Sequence, residues 1–192
     1  FARRHGLVSL IDNTFASPMN FRPVEHGFDL SLHSCTKYLN GHSDIVGGAL
    51  VAATPALADE LAWWANCLGI TGAPFDAFLT LRGVRTLHAR MRIHEENAHA
   101  VAAALSAHPL VETVHYPGLA DHPGHAIAAA QQQGFGAMLS FSVRGGAAAV
   151  EAVATGLELF TLAESLGGVE SLIAHPATMT HAAMDPAARV TA

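Results

Sequence analysis

Lys37 sits among small hydroxyl residues in the run Ser34-Cys35-Thr36-Lys37-Tyr38. An alternating segment with strand character precedes it, and Gly41 and Gly47-Gly48 follow, loop residues that let backbone approach a ligand closely. An amine flanked by hydroxyls suits an aldehyde that carries a phosphate. The amine condenses with the carbonyl, and the hydroxyls hydrogen-bond the phosphate oxygens. Upstream, Asp12 ends the apolar run Leu7-Val8-Ser9-Leu10-Ile11. A carboxylate at the C-terminal end of a strand can face a protonated pyridine nitrogen. Asp12 taken with Lys37 points to pyridoxal 5'-phosphate.

Each of these residues also has a plainer reading. Lys37 could be a surface lysine, Asp12 a turn cap with Asn13, and Ser34 and Thr36 ordinary turn hydroxyls. Glu164, beside Ser165 and Gly167-Gly168, is a second carboxylate of interest, with a cap as its plain alternative. The 13 histidines invite a metal reading, with His122-x-x-His125 and the set His88, His94, His99 nearest to ligand spacing. No fixed pattern of acidic or cysteine ligands accompanies them, so no metal is expected. Gly47-Gly48 and Gly167-Gly168 are not a dinucleotide fingerprint. Trp63-Trp64 on an amphipathic helix should place one ring in the core.

The elements that must position these groups alternate. Candidate strands are 7–11, 29–33 and 46–52, with turns at Ser17-Pro18 and His26-Gly27. Thr54-Pro55 opens a helix to about 67. A long helical pattern runs from Phe75 to about Ala107, with Gly83 as a break and His108-Pro109 as its close. Arg82, Arg85, Arg90, Arg92, Glu95 and Glu96 fall on its exposed faces. Then come a strand (111–115), a helix (about 123–133), a strand (137–143), a helix (147–155) and an apolar segment (159–163). That βαβα order predicts a compact second domain, and we divide the chain into 1–95 and 96–192.

Composition agrees. Of the 192 residues 51% are hydrophobic and 14% charged, which suits a buried α/β core and argues against disorder. A net charge of −6 gives no basic footprint, so nucleic acid is not an expected partner. No apolar run reaches the roughly 18 residues of a membrane span, and no signal segment stands at the start. Cys35 and Cys67 form no Cys-x-x-Cys pair and are expected to stay reduced in the cytoplasm. The chain begins at Phe1, and we expect it to be a fragment of a longer protein.

Several long words resemble the Cys/Met-metabolism family of pyridoxal-phosphate enzymes. They are Asp12-Asn13-Thr14-Phe15, the run Ser34 to Asp44, and Ala163-Glu164-Ser165-Leu166-Gly167-Gly168-Val169-Glu170-Ser171-Leu172-Ile173. Supporting stretches are Leu61 to Asn66, Thr80 to Leu87 and Gly134 to Phe141. The resemblance implies the aspartate-aminotransferase-like α/β architecture of fold type I, here the later part of the large domain and most of the small one. It implies that Lys37 is the cofactor lysine, that Asp12 pairs with the ring nitrogen, and that Ser34 and Thr36 contact the phosphate. Glu164 and Ser165 would line the amino-acid pocket.

The activity so implied is a γ-replacement on an O-acylhomoserine with cysteine, forming cystathionine within transsulfuration and methionine biosynthesis. A γ-lyase or a sulfhydrylase is the alternative on the same scaffold, and a non-catalytic assembly fragment the alternative of another class. The resemblance also implies a homotetramer built as a dimer of dimers. Two departures stand out: the family's glycine-rich phosphate loop and its carboxylate-clamping arginine have no match, and Arg189 does not fit the latter. Phe21 replaces a usual polar residue and Phe28 a usual alanine. The isolated fragment is therefore expected to be inactive.

Overall fold

The computed structural model describes residues 1–185 and 187–188; Arg189 lies outside them. Strands β1 (Leu10–Asp12), β2 (Leu30–Ser34) and β3 (Gly48–Ala52) form one sheet in that order. β1 and β2 are parallel, with Asp12 opposite Leu32, and β2 and β3 are antiparallel, with Ser34 opposite Gly48. The expected strand 7–11 thus begins later: Leu7 and Val8 are exposed and lie outside the ladder. The expected strand 46–52 begins at Gly48.

Between β1 and β2 lies a short helix, α1 (Ser17–Asn20), which sequence periodicity had no length to reveal. Helix α2 (Pro55–Leu68) opens as its sequence dictates. Thr54 Oγ1 accepts from the Leu57 N–H at 3.3 Å, Pro55 takes the first turn, and Gly69 closes the helix at φ 68°.

The long helical stretch is two helices, α3 (Pro74–Val84) and α4 (Leu87–Ser106). Gly83 does not break it. It lies buried in the last turn of α3, where a Cβ would strike the Asn40 backbone. The break comes at Arg85-Thr86. On α4, Leu87, Met91, Ala98 and Ala102 are buried at helical spacing and define the inner face. Tyr38, Leu87 and Met91 form one core cluster; Ala98, Ala102 and Tyr116 form another, and Ala137 touches both.

The second half holds β4 (Val111–His115), α5 (His125–Gln131), β5 (Ser140–Val143), α6 (Gly146–Gly156), β6 (Thr161–Leu162) and β7 (Leu172–Ile173). β4 and β5 pair antiparallel, so α5 is not a parallel crossover. β6 pairs parallel with β7, a two-residue strand too short to show a period. Both tryptophans lie largely outside the core, Trp63 at 58% and Trp64 at 48% exposure, packed edge-on against each other. Among the described residues, no helix is long and apolar enough to cross a membrane.

Candidate active site

The parallel pairing of β1 and β2 delivers Asp12 and Ser34 to the same end of the sheet. Past the ladder, Asn13 N–H donates to the Leu32 carbonyl at 2.9 Å, and Ser34 N–H donates to Thr14 Oγ1 at 2.8 Å. Thr14 is buried, so this bond ties the Asp12-Asn13-Thr14 turn to the lysine loop. Asp12 Oδ1 accepts from the Thr14 N–H at 2.9 Å. Its other oxygen, Oδ2, has no hydrogen-bond partner among the described residues. The turn-cap role and a free acceptor therefore coexist on one exposed carboxylate.

After β2 the chain makes a wide turn, Cys35–Leu39, in which Asn40 N–H reaches back five residues to the Cys35 carbonyl at 3.2 Å. Lys37 departs from helical backbone within it (φ −97°, ψ −131°). Thr36 Oγ1 accepts from Gly47 N–H at 3.1 Å, and its contact to the Gly47 carbonyl, at 3.5 Å, is long enough to leave the hydroxyl proton available. The Ser34 hydroxyl makes no hydrogen bond among the described residues. Burial pushes the Cys35 thiol above its ordinary value, which suits a packing residue. Burial also holds His33 below its ordinary value, against the pull of the nearby Asp12 carboxylate.

Lys37 is the only lysine in the sequence. Its Nζ donates to Ser165 Oγ at 2.9 Å, across 128 residues of chain. The structure thus brings together Ser165 and Lys37, and it gathers Asp12, Ser34 and Thr36 at the neighbouring strand ends. Glu164 is exposed, and among the described residues its side chain makes no hydrogen bond or ion pair.

Two residues placed on exposed faces from the sequence turn inward. Arg90 donates from Nη1 to the Tyr38 carbonyl (2.9 Å), from Nη2 to the Gly83 (2.8 Å) and Leu39 (3.4 Å) carbonyls, and from Nε to Thr86 Oγ1 (3.1 Å). It clamps the backbone immediately after Lys37 with the fork of donors that only arginine has. Glu95 accepts from the Phe135 and Gly136 N–H groups at 3.0 and 3.3 Å and from Asn20 Nδ2 at 3.4 Å. Only the glycines at 41, 83 and 134, which leave room for these side chains or for tight helix packing, hinted at it in the sequence.

The donor set fits pyridoxal phosphate. Asp12 Oδ2 is an open anionic acceptor, the hydroxyls of Ser34 and Thr36 have protons to give, and the Lys37 amine is held by a single hydroxyl. The α/β layer is that of fold type I, the architecture of a class of pyridoxal-phosphate-dependent enzymes. Residues 1–192 match the family model for the Cys/Met metabolism PLP-dependent enzymes, and the chain belongs to that family.

Cystathionine gamma-synthase of Escherichia coli (strain K12) is 56% identical over 191 residues, covering 100% of this chain and 50% of that protein. Cystathionine beta-lyase of Coxiella burnetii is 50% identical over 189 residues, covering 98% and 49%. The crystal structure of cystathionine gamma synthase from Xanthomonas oryzae pv. oryzae in complex with aminoacrylate and cysteine superposes with a TM-score of 0.96. It is 63% identical, and the match covers 99% of this chain and 49% of that one. The chain spans about half the length of the curated relatives it matches.

Proposed function

We propose that this chain carries the cofactor lysine of an enzyme that exchanges the γ-acyloxy group of an O-acylhomoserine for the sulfur of cysteine, giving cystathionine. One observation carries the reading: Lys37 Nζ donates to Ser165 Oγ at 2.9 Å, from the loop that follows Ser34 and holds Thr36. The synthases among the relatives support the choice of reaction. The beta-lyase relative keeps a lyase as the second reading, with γ-lyase and sulfhydrylase chemistry on the same scaffold.

Asp12 would hold the ring nitrogen in its protonated form, and Ser34 and Thr36 would donate to the phosphate. When bound, the cofactor supplies an aldehyde for amines and a cationic ring that absorbs charge from the substrate Cα. The Lys37 amine would take the Cα proton, then a Cβ proton, and would return them once the sulfur has added. The carboxylate leaves from Cγ, and the cysteine sulfur bonds there. Ser165 keeps the amine aimed between these positions, and Glu164 faces the amino-acid pocket. We place the cofactor-bearing part at 1–95 and the substrate-facing part at 96–192, with α4 shared between them. A homotetramer acting in cytoplasmic methionine biosynthesis completes the reading.

Borohydride reduction of the cofactor-loaded enzyme tests it. The cofactor should be fixed on a peptide containing residues 34–38, and Lys37→Ala should abolish the visible absorbance. Modification at any other amine overturns the assignment.

A further inference from the structure

Gly167-Gly168 match no nucleotide fingerprint, yet each glycine has a specific neighbour. Gly167 has φ +78°, and a Cβ there would fall 3.0 Å from the Lys37 carbonyl carbon and 2.6 Å from the Tyr38 nitrogen. At Gly168 a Cβ would run into the Glu170 carboxylate and the Ser43 hydroxyl. Those two groups are bonded: Ser43 Oγ donates to Glu170 Oε2 at 2.8 Å. Ser43 makes this bond from left-handed backbone (φ 57°), which a serine adopts only at a cost. Leu166 packs against Tyr38, Leu87 and Met91.

Segment 163–170 therefore meets the lysine loop in four ways. Ser165 reaches the amine, Leu166 enters the core behind it, Gly167 lies against its backbone, and Glu170 grips Ser43 beyond it. The hydroxyl–carboxylate contact is exposed and weak by itself. Its effect comes from closing a segment that the buried leucine and the glycine approach already align.

We propose that Ser43 and Glu170 form a latch that docks segment 163–170 on the lysine loop and so keeps the Ser165 hydroxyl on the Lys37 amine. Both are positioning residues, since neither touches Nζ. The proposal rests on the reading of Lys37 as the cofactor lysine. With the latch closed, the amine has a fixed heading for proton transfer. With it open, Ser165 and Glu164 leave together.

The test compares cofactor-loaded wild type with Ser43→Ala, Glu170→Ala and Glu170→Gln. Amide hydrogen exchange across 163–170 should quicken by about tenfold in both alanine variants, with β2 and α4 unchanged. In the same variants kcat should fall by about tenfold with KM and the visible absorbance retained. Glu170→Gln, whose amide oxygen still accepts from Ser43, should stay within about twofold of wild type. Unchanged exchange or unchanged kcat in the alanine variants overturns the latch, as does a glutamine variant as impaired as the alanine one. If Glu170→Ala does not fold, Ser43→Ala decides alone. A wild type without visible absorbance overturns the Lys37 reading instead, while exchange across 163–170 still reports on the latch.

Discussion

The Ser165 hydroxyl accepts a hydrogen bond from the Lys37 amine at 2.9 Å, although the two lie in segments 128 residues apart. Ser165→Ala leaves the amine with no acceptor on that side. Cofactor retention should be nearly unchanged, because Asp12, Ser34 and Thr36 stay in place. Turnover should drop by roughly tenfold, as for one lost orienting hydrogen bond to a charged group. Full turnover would show that Lys37 needs no aiming by Ser165.

Asp12 divides its two oxygens between a turn and open space, which makes Asp12→Asn informative. The amide keeps an oxygen for the Thr14 N–H but loses the charge. Fold stability should therefore hold within about 0.5 kcal/mol. Turnover should fall by orders of magnitude, because a neutral partner does not hold a proton on the ring nitrogen. Thermal unfolding and steady-state rates read the two effects separately. A loss of stability with rates intact would leave Asp12 as a turn cap.

Arg90 gathers four acceptors around the lysine loop, three of them carbonyls. Lysine at this position supplies charge but not the planar fork. Arg90→Lys should cost about 1–3 kcal/mol of stability, the range for buried acceptors left unpaired. It should also speed exchange at the Gly41 amide, which donates to the Lys37 carbonyl at 2.8 Å. Wild-type stability in Arg90→Lys would mean that water satisfies these carbonyls.

What the sequence discloses and what it hides follow from the range of the interactions involved. The Thr54-Pro55 start of α2 and the Lys37 setting are local, and local chemistry is written in neighbouring residues. Arg90 and Glu95 look solvent-facing because charged residues on helices usually are. Their partners are backbone groups of distant loops, and backbone carries no residue-type signal. Gly83 reads as a helix breaker by propensity, yet it is required by the approach of α3 to Asn40. The family words placed Ser165 at the amino-acid pocket, but its contact with Lys37 needs coordinates, since no period or spacing joins residues so far apart. Asp12 differs again: its position at a strand end shows in the apolar run, and the division of its oxygens needs coordinates.

The buried His33 and the half-buried His94 contribute to the acid sensitivity of the fold. Burial lowers His33 and His94 below the ordinary 6.5, with the Arg90 charge adding to the effect at His94. Among the described residues, His33 Nδ1 and His94 Nε2 have no hydrogen-bond partner. The folded state thus binds these protons more weakly than the unfolded chain. The contribution to stability is complete above about pH 6.5 and is lost as pH falls through the lower folded values. Thermal midpoints should decline on acidification below about pH 6.5. The decline should be shallower in a variant carrying His33→Asn and His94→Gln. An equal decline in that variant would assign the acid sensitivity to other groups.

Glu164 tests the choice of reaction. It stands beside Ser165, exposed, and its carboxylate makes no hydrogen bond or ion pair among the described residues, so it is available to a ligand. A carboxylate beside the bound amino acid attracts an ammonium group, which cysteine carries and sulfide lacks. Glu164→Ala should therefore weaken the use of cysteine as sulfur donor more than the use of sulfide. The difference in kcat/KM should be on the order of 1–3 kcal/mol in transition-state terms, the range for a truncated charge-assisted contact. Solvent screening at an exposed site places the expectation at the lower end. Parallel kcat/KM measurements with the two donors give the difference directly. Equal losses would separate Glu164 from acceptor recognition and shift the preferred reading to a lyase or sulfhydrylase.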